Sequence, residues 1–306
     1  MSDFTKYLAK HRRNWITLTE AQQKQLATYY VEWAGRIKSE IPYILNKSTL
    51  TTKKIALNNL LREASKITDG FTKILDKSVL DSANLGVEAN KYIVTQYQQS
   101  LFDKGHAIDL KSIMTKLPSE AVKVQASMIF TDGLKLSERI WRLDKITKGQ
   151  IERIVLEAIS TGRSASDPIL NRTLASLLNP NYTGKLTTLH GRSVSYEASR
   201  LLRTQSRIAH MEADRMSSLA NPGVQMVEWR RGAYEDCDIC DRLAAEGPYK
   251  PNEIPIHSHP NCVCSLVPIA EDIEKFTDRY LEFMDNPKSQ PDLMQWMSDY
   301  GRKMAA

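Results

Sequence analysis

The sequence lacks any apolar run of about 18 residues, the length that a membrane-spanning helix needs. Its first residues, MSDFTKYLAKHRRNW, lack the apolar core and the small-residue cleavage site of a secretory signal. With 13 Gly and 12 Pro among 306 residues, neither a collagen-like nor a broadly disordered chain is expected. Four cysteines are too few for a disulfide scaffold. We therefore expect a soluble protein of the cytosol with no membrane span.

The charges are ordinary in number but uneven in position. Residues 1–150 hold 24 Lys and Arg against 15 Asp and Glu, whereas residues 151–306 hold 18 against 21, so the net charge of +6 resides in the first half. Such asymmetry suggests a nucleic-acid or acidic protein partner. A helical domain with a solvated, lysine-covered surface explains it as well, and we favour this simpler interpretation.

Apolar residues spaced three and four apart predict helices up to about residue 220. The predicted helices cover residues 19–42, 51–80, 83–102, 118–130, 147–160 and 193–219. A capping-box pattern at Thr19 and a proline at Pro42 set the bounds of the first, and Pro118 is expected to begin the fourth at its first position. Asp132-Gly133 and Gly162 are expected to interrupt the pattern. Ser166 is expected to begin a further helix, and residues 179–191 to form a loop.

The pattern changes only after residue 223. Residues 224–229 and 262–267 alternate in the manner of short strands, and we expect them to pair across the stretch that holds the cysteines. The predicted fold is mainly α: a helical N-terminal domain over 1–148, a small α+β domain over 149–270 with a β-hairpin that carries a Cys/His cluster, and a C-terminal helical tail over 271–306.

All four cysteines lie close together in the sequence. They form a Cys237-x-x-Cys240 pair and, after a spacer, His257-x-His259-x-x-Cys262-x-Cys264. A C-x-x-C turn places two thiolates on one side of a tight knuckle, which suits the tetrahedral coordination of Zn²⁺. On a strand, Cys262 and Cys264 point the same way. The candidate metal ligands are therefore Cys237, Cys240, His259, Cys262 and Cys264, and His257 is a weaker candidate.

Five candidate ligands for four positions leave two metal sites open, one of four cysteines and one of three cysteines with His259. Three interpretations without metal also stay open: a redox pair, although no βαβ pattern surrounds it, two disulfides formed outside the cell, or reduced cysteines packed under the hairpin. If a metal binds, we expect structural Zn²⁺, because catalytic zinc keeps one position open for water.

The order of a long arginine-bearing helix, a strand ending in Trp, a C-x-x-C pair and an H-P-N-C-x-C element resembles the C-terminal domain of the Mu F-like head morphogenesis proteins. These are minor head proteins of tailed bacteriophages. The resemblance covers about residues 150–270 and rests on Arg203-Thr204-Gln205, Trp229, Cys237, Cys240, Leu243, His259, Pro260, Asn261, Cys262 and Cys264. Gln205 stands where the family commonly has Glu, and Val263 where it often has Arg.

The resemblance implies a minor structural protein of a phage head rather than an enzyme. Such a protein associates with the portal protein during prohead assembly and accompanies packaged DNA or its delivery. The implied location is the virion, inside the head near the portal, and the bacterial cytoplasm during assembly. Scaffold or major capsid proteins are further implied partners. Non-specific double-stranded DNA is another candidate partner, for the basic first half, since Lys and Arg bind phosphates without regard to sequence.

Arg200, Arg203 and Arg207 lie three and four apart on the predicted helix over 193–219, so they share a face. They are candidate contacts to DNA or to the portal. More often, arginines in such a stripe pair with acids on neighbouring helices or stay solvated, and we favour that role.

The alternative function is that of a zinc-dependent nucleic-acid-binding protein or a small treble-clef-type nuclease. A nuclease needs a catalytic histidine beside a strand, and His257 and His259 are the only histidines near the knuckle. His210-x-Glu212 matches one half of the zinc-deaminase signature, but Asp236 replaces the proline that precedes the C-x-x-C pair in that signature. A match of three residues is common by chance.

Overall fold

The computed structural model describes residues 3–130, 132–164, 167–168, 170, 173, 176, 194–232, 237–255 and 262–304. The helices in these ranges are α1 (Asp3–Leu45), α2 (Leu50–Asp103), α3 (Lys111–Ser127), α4 (Leu136–Ser160), α5 (Val194–Ala220), α6 (Asp238–Glu246), α7 (Ile273–Asp285) and α8 (Pro291–Met304). Two strands, β1 (Val224–Arg230) and β2 (Ser265–Ala270), form an antiparallel pair. The predicted fold class is confirmed: the protein is mainly α, and a cysteine cluster lies near the strand pair.

The first helices are longer than the sequence predicts. Helix α1 begins well before Thr19 and passes through Pro42, because the buried apolar stripe continues on both sides of these residues with Trp15 and Ile44. The predicted helices over 51–80 and 83–102 are one helix, α2, since Val79, Ala83 and Val87 continue its buried face. Apolar packing therefore overrides a capping pattern and a proline.

Helix α3 begins at Lys111 rather than at Pro118, which lies inside it. Asp109 precedes the helix and accepts a hydrogen bond from the backbone N–H of Ser112, so an Asp cap sets the start. The predicted interruption at Asp132-Gly133 is confirmed, and α4 is one helix that ends before Gly162. Gly133 and Gly162 both have positive φ, which glycine adopts without strain. The predicted start at Ser166 and the loop over 179–191 lie outside the described residues.

The strand pair forms as predicted, but its second strand begins later. Trp229 is paired with Leu266 and Arg230 with Ser265, so Cys262 and Cys264 precede β2 and do not lie on it. Tyr249 exchanges two backbone hydrogen bonds with Val227 of β1, of 2.7 and 2.8 Å. These bonds tie the chain between the strands to β1, which brings the two cysteine-bearing segments together.

The chain forms two compact units. One comprises Met1–Leu18, Val79–Gln125 and Thr204–Ala306, and the other comprises Thr19–Ser78 and Ala126–Arg203. All four cysteines lie in the first unit. The division into domains over 1–148, 149–270 and 271–306 stays a prediction. None of the helices in the described part of the chain is both long and apolar enough to cross a bilayer.

In the first unit, α2 packs closely against α5. Gly86 of α2 faces the backbone carbonyl of His210, with no room for a side chain between them. One turn later, the Asn90 amide donates to the hydroxyls of Ser217 and Ser218 at 2.9 and 3.0 Å, and its oxygen accepts from Asn221 at 3.1 Å. This buried polar network fixes the register of the two helices. It thereby also fixes which residues of α5, Met211 among them, pack against the cysteines.

Candidate metal centre

Two short segments supply the cysteines. Cys237 is the residue before α6, and Cys240 lies in the first turn of that helix. Cys262 and Cys264 lie on the segment that leads into β2. Cys240, Cys262 and Cys264 are each at most 4 % exposed, and their sulfur atoms all lie within 4.8 Å of one another.

The spacing of the sulfurs fits a shared metal ion. The Sγ atoms of Cys240 and Cys262 are 3.5 Å apart. Two thiolates bound tetrahedrally at about 2.3 Å from Zn²⁺ lie about 3.8 Å apart, whereas a disulfide needs about 2.0 Å. No disulfide joins any of the four cysteines, all of which are described. The donor set is therefore compatible with a metal site.

The structure brings together three of the predicted ligands and not the fourth cysteine. Cys237 packs against the same apolar cluster, but its sulfur is not among those that lie within 4.8 Å of one another. The other predicted fourth ligand, His259, and the weaker candidate His257 lie outside the described residues. Both predicted sets, four cysteines or three with a histidine, stay open.

The surroundings of Cys240 and Cys264 disfavour their thiolate forms when no metal is bound. Burial is the largest cause that raises the pKa of Cys240 from 9.0 to about 12. The pKa of Cys264 is also raised, first by its hydrogen bond to Cys262 and then by burial. A redox pair needs a thiolate at neutral pH, and the environment of Cys240 disfavours one at that residue. A bound cation would reverse the balance, because its charge stabilises the thiolates.

An apolar shell encloses the cluster. Its buried members are Met211, Val227, Trp229, Leu243, Ile254 and Leu266. The Tyr249 hydroxyl donates a hydrogen bond to the carbonyl of Leu243 at 2.6 Å. This bond attaches α6 to the segment that follows it. The backbone N–H of Cys264 points at the Cys262 sulfur at 3.4 Å, in the geometry with which a backbone amide stabilises a thiolate.

The arginine stripe does not form one exposed face. The Arg200 side chain is 38 % exposed, with its guanidinium 3.7 Å from Glu197, and Arg203 is half-buried. Arg207 is 1 % exposed and lies with its guanidinium 5.5 Å from the centre of the Trp229 ring. Arg207 is therefore buried away from surface ligands, and contact of this stripe with DNA or a partner stays a prediction.

The positions of two buried residues of α5 were not expected from the sequence. Arg207 lies next to the thiols, which helical spacing cannot reveal. Gln205, which departs from the family pattern, is buried and accepts a hydrogen bond from the amide of Gln125, so a neutral pair occupies that place. No signal in the sequence identifies Gln125 as its partner.

The His210-x-Glu212 match to a deaminase has a structural explanation. His210 is fully buried, stacks on the Trp15 ring at 4.1 Å and lies 3.1 Å from the carbonyl of Ser82. Glu212 pairs with Arg215, with a Nε–Oε2 distance of 3.0 Å. Neither residue belongs to the cysteine cluster.

His210 is expected to make the fold sensitive to acid. Burial and, to a smaller extent, the neighbouring His11 lower its pKa from 6.5 to about 3. Below about pH 6.5, this histidine binds a proton in the unfolded chain but stays neutral in the folded one. Its contribution to the free energy of unfolding is therefore fully present above that pH and is lost as the pH falls towards about 3. This histidine alone should cost up to about 1.4 kcal/mol per pH unit.

The measurement is the free energy of unfolding at several pH values, with a chelator present so that metal release does not contribute. His210→Phe keeps a ring against Trp15 but cannot take up a proton, so its stability should depend less on pH. Equal pH dependence in the two proteins would show that His210 is not the cause.

No family model, curated protein or solved structure matches this chain.

Proposed function

We propose that this chain is a minor structural protein of a tailed-phage head that associates with the portal protein during prohead assembly. One observation carries the proposal: a C-x-x-C pair and a C-x-C element converge between an arginine-bearing helix and a short antiparallel strand pair. This is the combination of elements on which the resemblance to the Mu F-like head morphogenesis proteins rests. Its place of action is the inside of the head near the portal, after assembly in the host cytoplasm.

Within this proposal, the cysteine cluster holds a structural Zn²⁺. Buried thiolates favour soft or borderline metals, among which zinc has no redox chemistry and accepts a closed tetrahedral site. Three of the ligands are at most 4 % exposed and lie within an apolar shell. Such burial supports a structural role over that of a nuclease, because a catalytic zinc must bind water and substrate.

The basic first half is the proposed surface for acidic partners. Residues 1–150 carry an excess of nine positive charges, 24 against 15. Phosphate contacts by Lys and Arg give binding that is independent of sequence and weakens with salt. Packaged DNA and an acidic face of the portal are the proposed neighbours, with scaffold or major capsid protein as further contacts during assembly.

A binding experiment with the full chain tests this function. The chain is mixed with the portal oligomer of the same phage, and separately with double-stranded DNA, at low and physiological salt. We expect it to sediment with the portal oligomer, and to bind DNA at least about tenfold more weakly at the higher salt. A plasmid-nicking assay with Mg²⁺ or Mn²⁺ serves as the control for the nuclease, with His257→Ala as its matched variant. Nicking that His257→Ala abolishes, together with no portal binding, would contradict the proposal.

A further inference from the structure

Arg207 is a buried cation without a described partner. It is 1 % exposed, and none of its three guanidinium nitrogens has a hydrogen-bond partner within the part of the chain that the structure describes. A guanidinium carries five N–H donors and no acceptor, and a buried charge is costly unless it is paired. An arginine held this way needs an anion close by.

The groups beside Arg207 identify that anion. The guanidinium lies against the Trp229 ring, which orients it but offers only a weak attraction for its charge. The Trp229 ring lies in the same buried cluster as Cys240, Cys262 and Cys264, the three residues of the candidate metal centre, so Arg207 lies on the side of that cluster. Burial lowers the pKa of Arg207, and these three thiols oppose that change by favouring its charged form. Protonated thiols are neutral and weak acceptors, so in the metal-free chain they cannot balance Arg207.

Metal binding changes the sign of this environment. Four thiolates around Zn²⁺ carry two net negative charges, and three thiolates with a neutral histidine carry one. Either centre is an anion in an apolar shell, and its sulfurs accept hydrogen bonds. Arg207 then reduces the net charge by one, which leaves one negative charge or none.

We propose that Arg207 is the counter-ion of a metal–thiolate centre formed by Cys240, Cys262 and Cys264, and that it positions and stabilises these ligands without binding the metal. This inference rests on the metal site of the proposed function. It adds a residue that the C-x-x-C and C-x-C patterns do not contain. It also predicts that the effect of removing Arg207 depends on whether the metal is bound.

Four full-length proteins test this role: wild type, Arg207→Met, Arg207→Lys and Arg200→Met. Methionine keeps the apolar length of the side chain over Trp229 but removes the charge, and lysine keeps the charge but not the planar fork. Arg200→Met is the matched control, because Arg200 lies on the same helix and is paired with Glu197. The readouts are zinc affinity, from competition with a chelator, and the unfolding midpoint with and without zinc.

Arg207→Met should weaken zinc binding by about 10–100-fold, as is usual for residues that support metal ligands, and Arg207→Lys should weaken it less. Arg200→Met should bind zinc as the wild type does. Without zinc, Arg207→Met should unfold at the same midpoint as the wild type or a higher one, because it removes an unpaired buried charge. If Arg207→Met does not fold without zinc, Arg207→Gln replaces it, and the expected order of affinity is wild type, then lysine, then glutamine.

The outcomes separate the two proposals. Zinc uptake by the wild type with equal affinity in the Arg207 variants would overturn the counter-ion role and leave the metal site intact. A loss of stability in Arg207→Met that is the same with and without zinc would also overturn it, since that is the mark of packing alone. No zinc uptake by the wild type would overturn the metal site and the role of Arg207 together. None of these results bears on the proposed function in the phage head, which the portal-binding experiment tests separately.

Discussion

Replacing Cys262 by serine is expected to abolish the stabilisation that zinc gives to the full chain. Cys262 is the central sulfur of the candidate metal centre, 3.5 Å from the Cys240 sulfur and in contact with the backbone N–H of Cys264. A serine hydroxyl fills nearly the same space but does not ionise at neutral pH and is a poor zinc ligand. Zinc at 100 to 1,000 times its dissociation constant stabilises a protein by about 3–4 kcal/mol, and this gain should disappear.

Unfolding is followed with added zinc and after removal of metal by a chelator. The wild type should lose stability on chelation, and Cys262→Ser should not respond. Cys237→Ser and His259→Ala form a matched pair that identifies the fourth ligand, because only the true ligand should reduce zinc binding strongly. A zinc response of Cys262→Ser as large as that of the wild type would exclude this cysteine as a ligand.

Gly86→Ala is expected to destabilise the protein by about 3 kcal/mol, near the upper end for overpacking. A Cβ atom at this position would lie 2.2 Å from the carbonyl oxygen of His210 and 3.0 Å from the Cβ of Ala213. The obstacle is helix backbone rather than a flexible side-chain end, so α2 and α5 would have to separate. That movement would also strain the hydrogen bonds between Asn90 and α5.

Gly35→Ala is the matched control, because Gly35 also lies within a long helix but a Cβ there meets nothing within 4 Å. In open space, alanine favours helix over glycine by about 1 kcal/mol, so this variant should be slightly more stable. Urea unfolding of the two variants and the wild type gives both free energies. A stability of Gly86→Ala within about 0.5 kcal/mol of the wild type would contradict the close packing of α2 on α5.

Helical periodicity in the sequence predicts where helices exist better than where they end. Apolar spacing identified the segments that became α1 and α2, but the capping pattern at Thr19 and the proline at Pro42 suggested ends that the structure does not have. A cap worth about 1 kcal/mol, and even a proline that costs about 3 kcal/mol inside a helix, lose to a buried stripe that continues past them. Where no apolar stripe continued, as at Gly162, the predicted end is confirmed.

The cysteine cluster could be predicted, because close spacing in the sequence limits how far apart the thiols can lie. The predicted reason was partly wrong: Cys262 and Cys264 come together with Cys240 although they precede the strand. Arg207 could not be predicted as their neighbour. Its place depends on how α5 packs against β1 and the cysteine segments, and three-four spacing assigns the same helix face to the half-exposed Arg200.

The mass of the intact full-length chain, measured under native conditions after purification without chelator, tests the metal centre most directly. We expect a mass increase of one zinc per chain. The ligand set is read separately, from the protons released into weakly buffered solution when zinc is added to the metal-free chain: four indicate an all-cysteine site, and three indicate a site completed by His259. A folded chain that carries no metal, and takes up none when zinc is added to its reduced thiols, would contradict the existence of the centre.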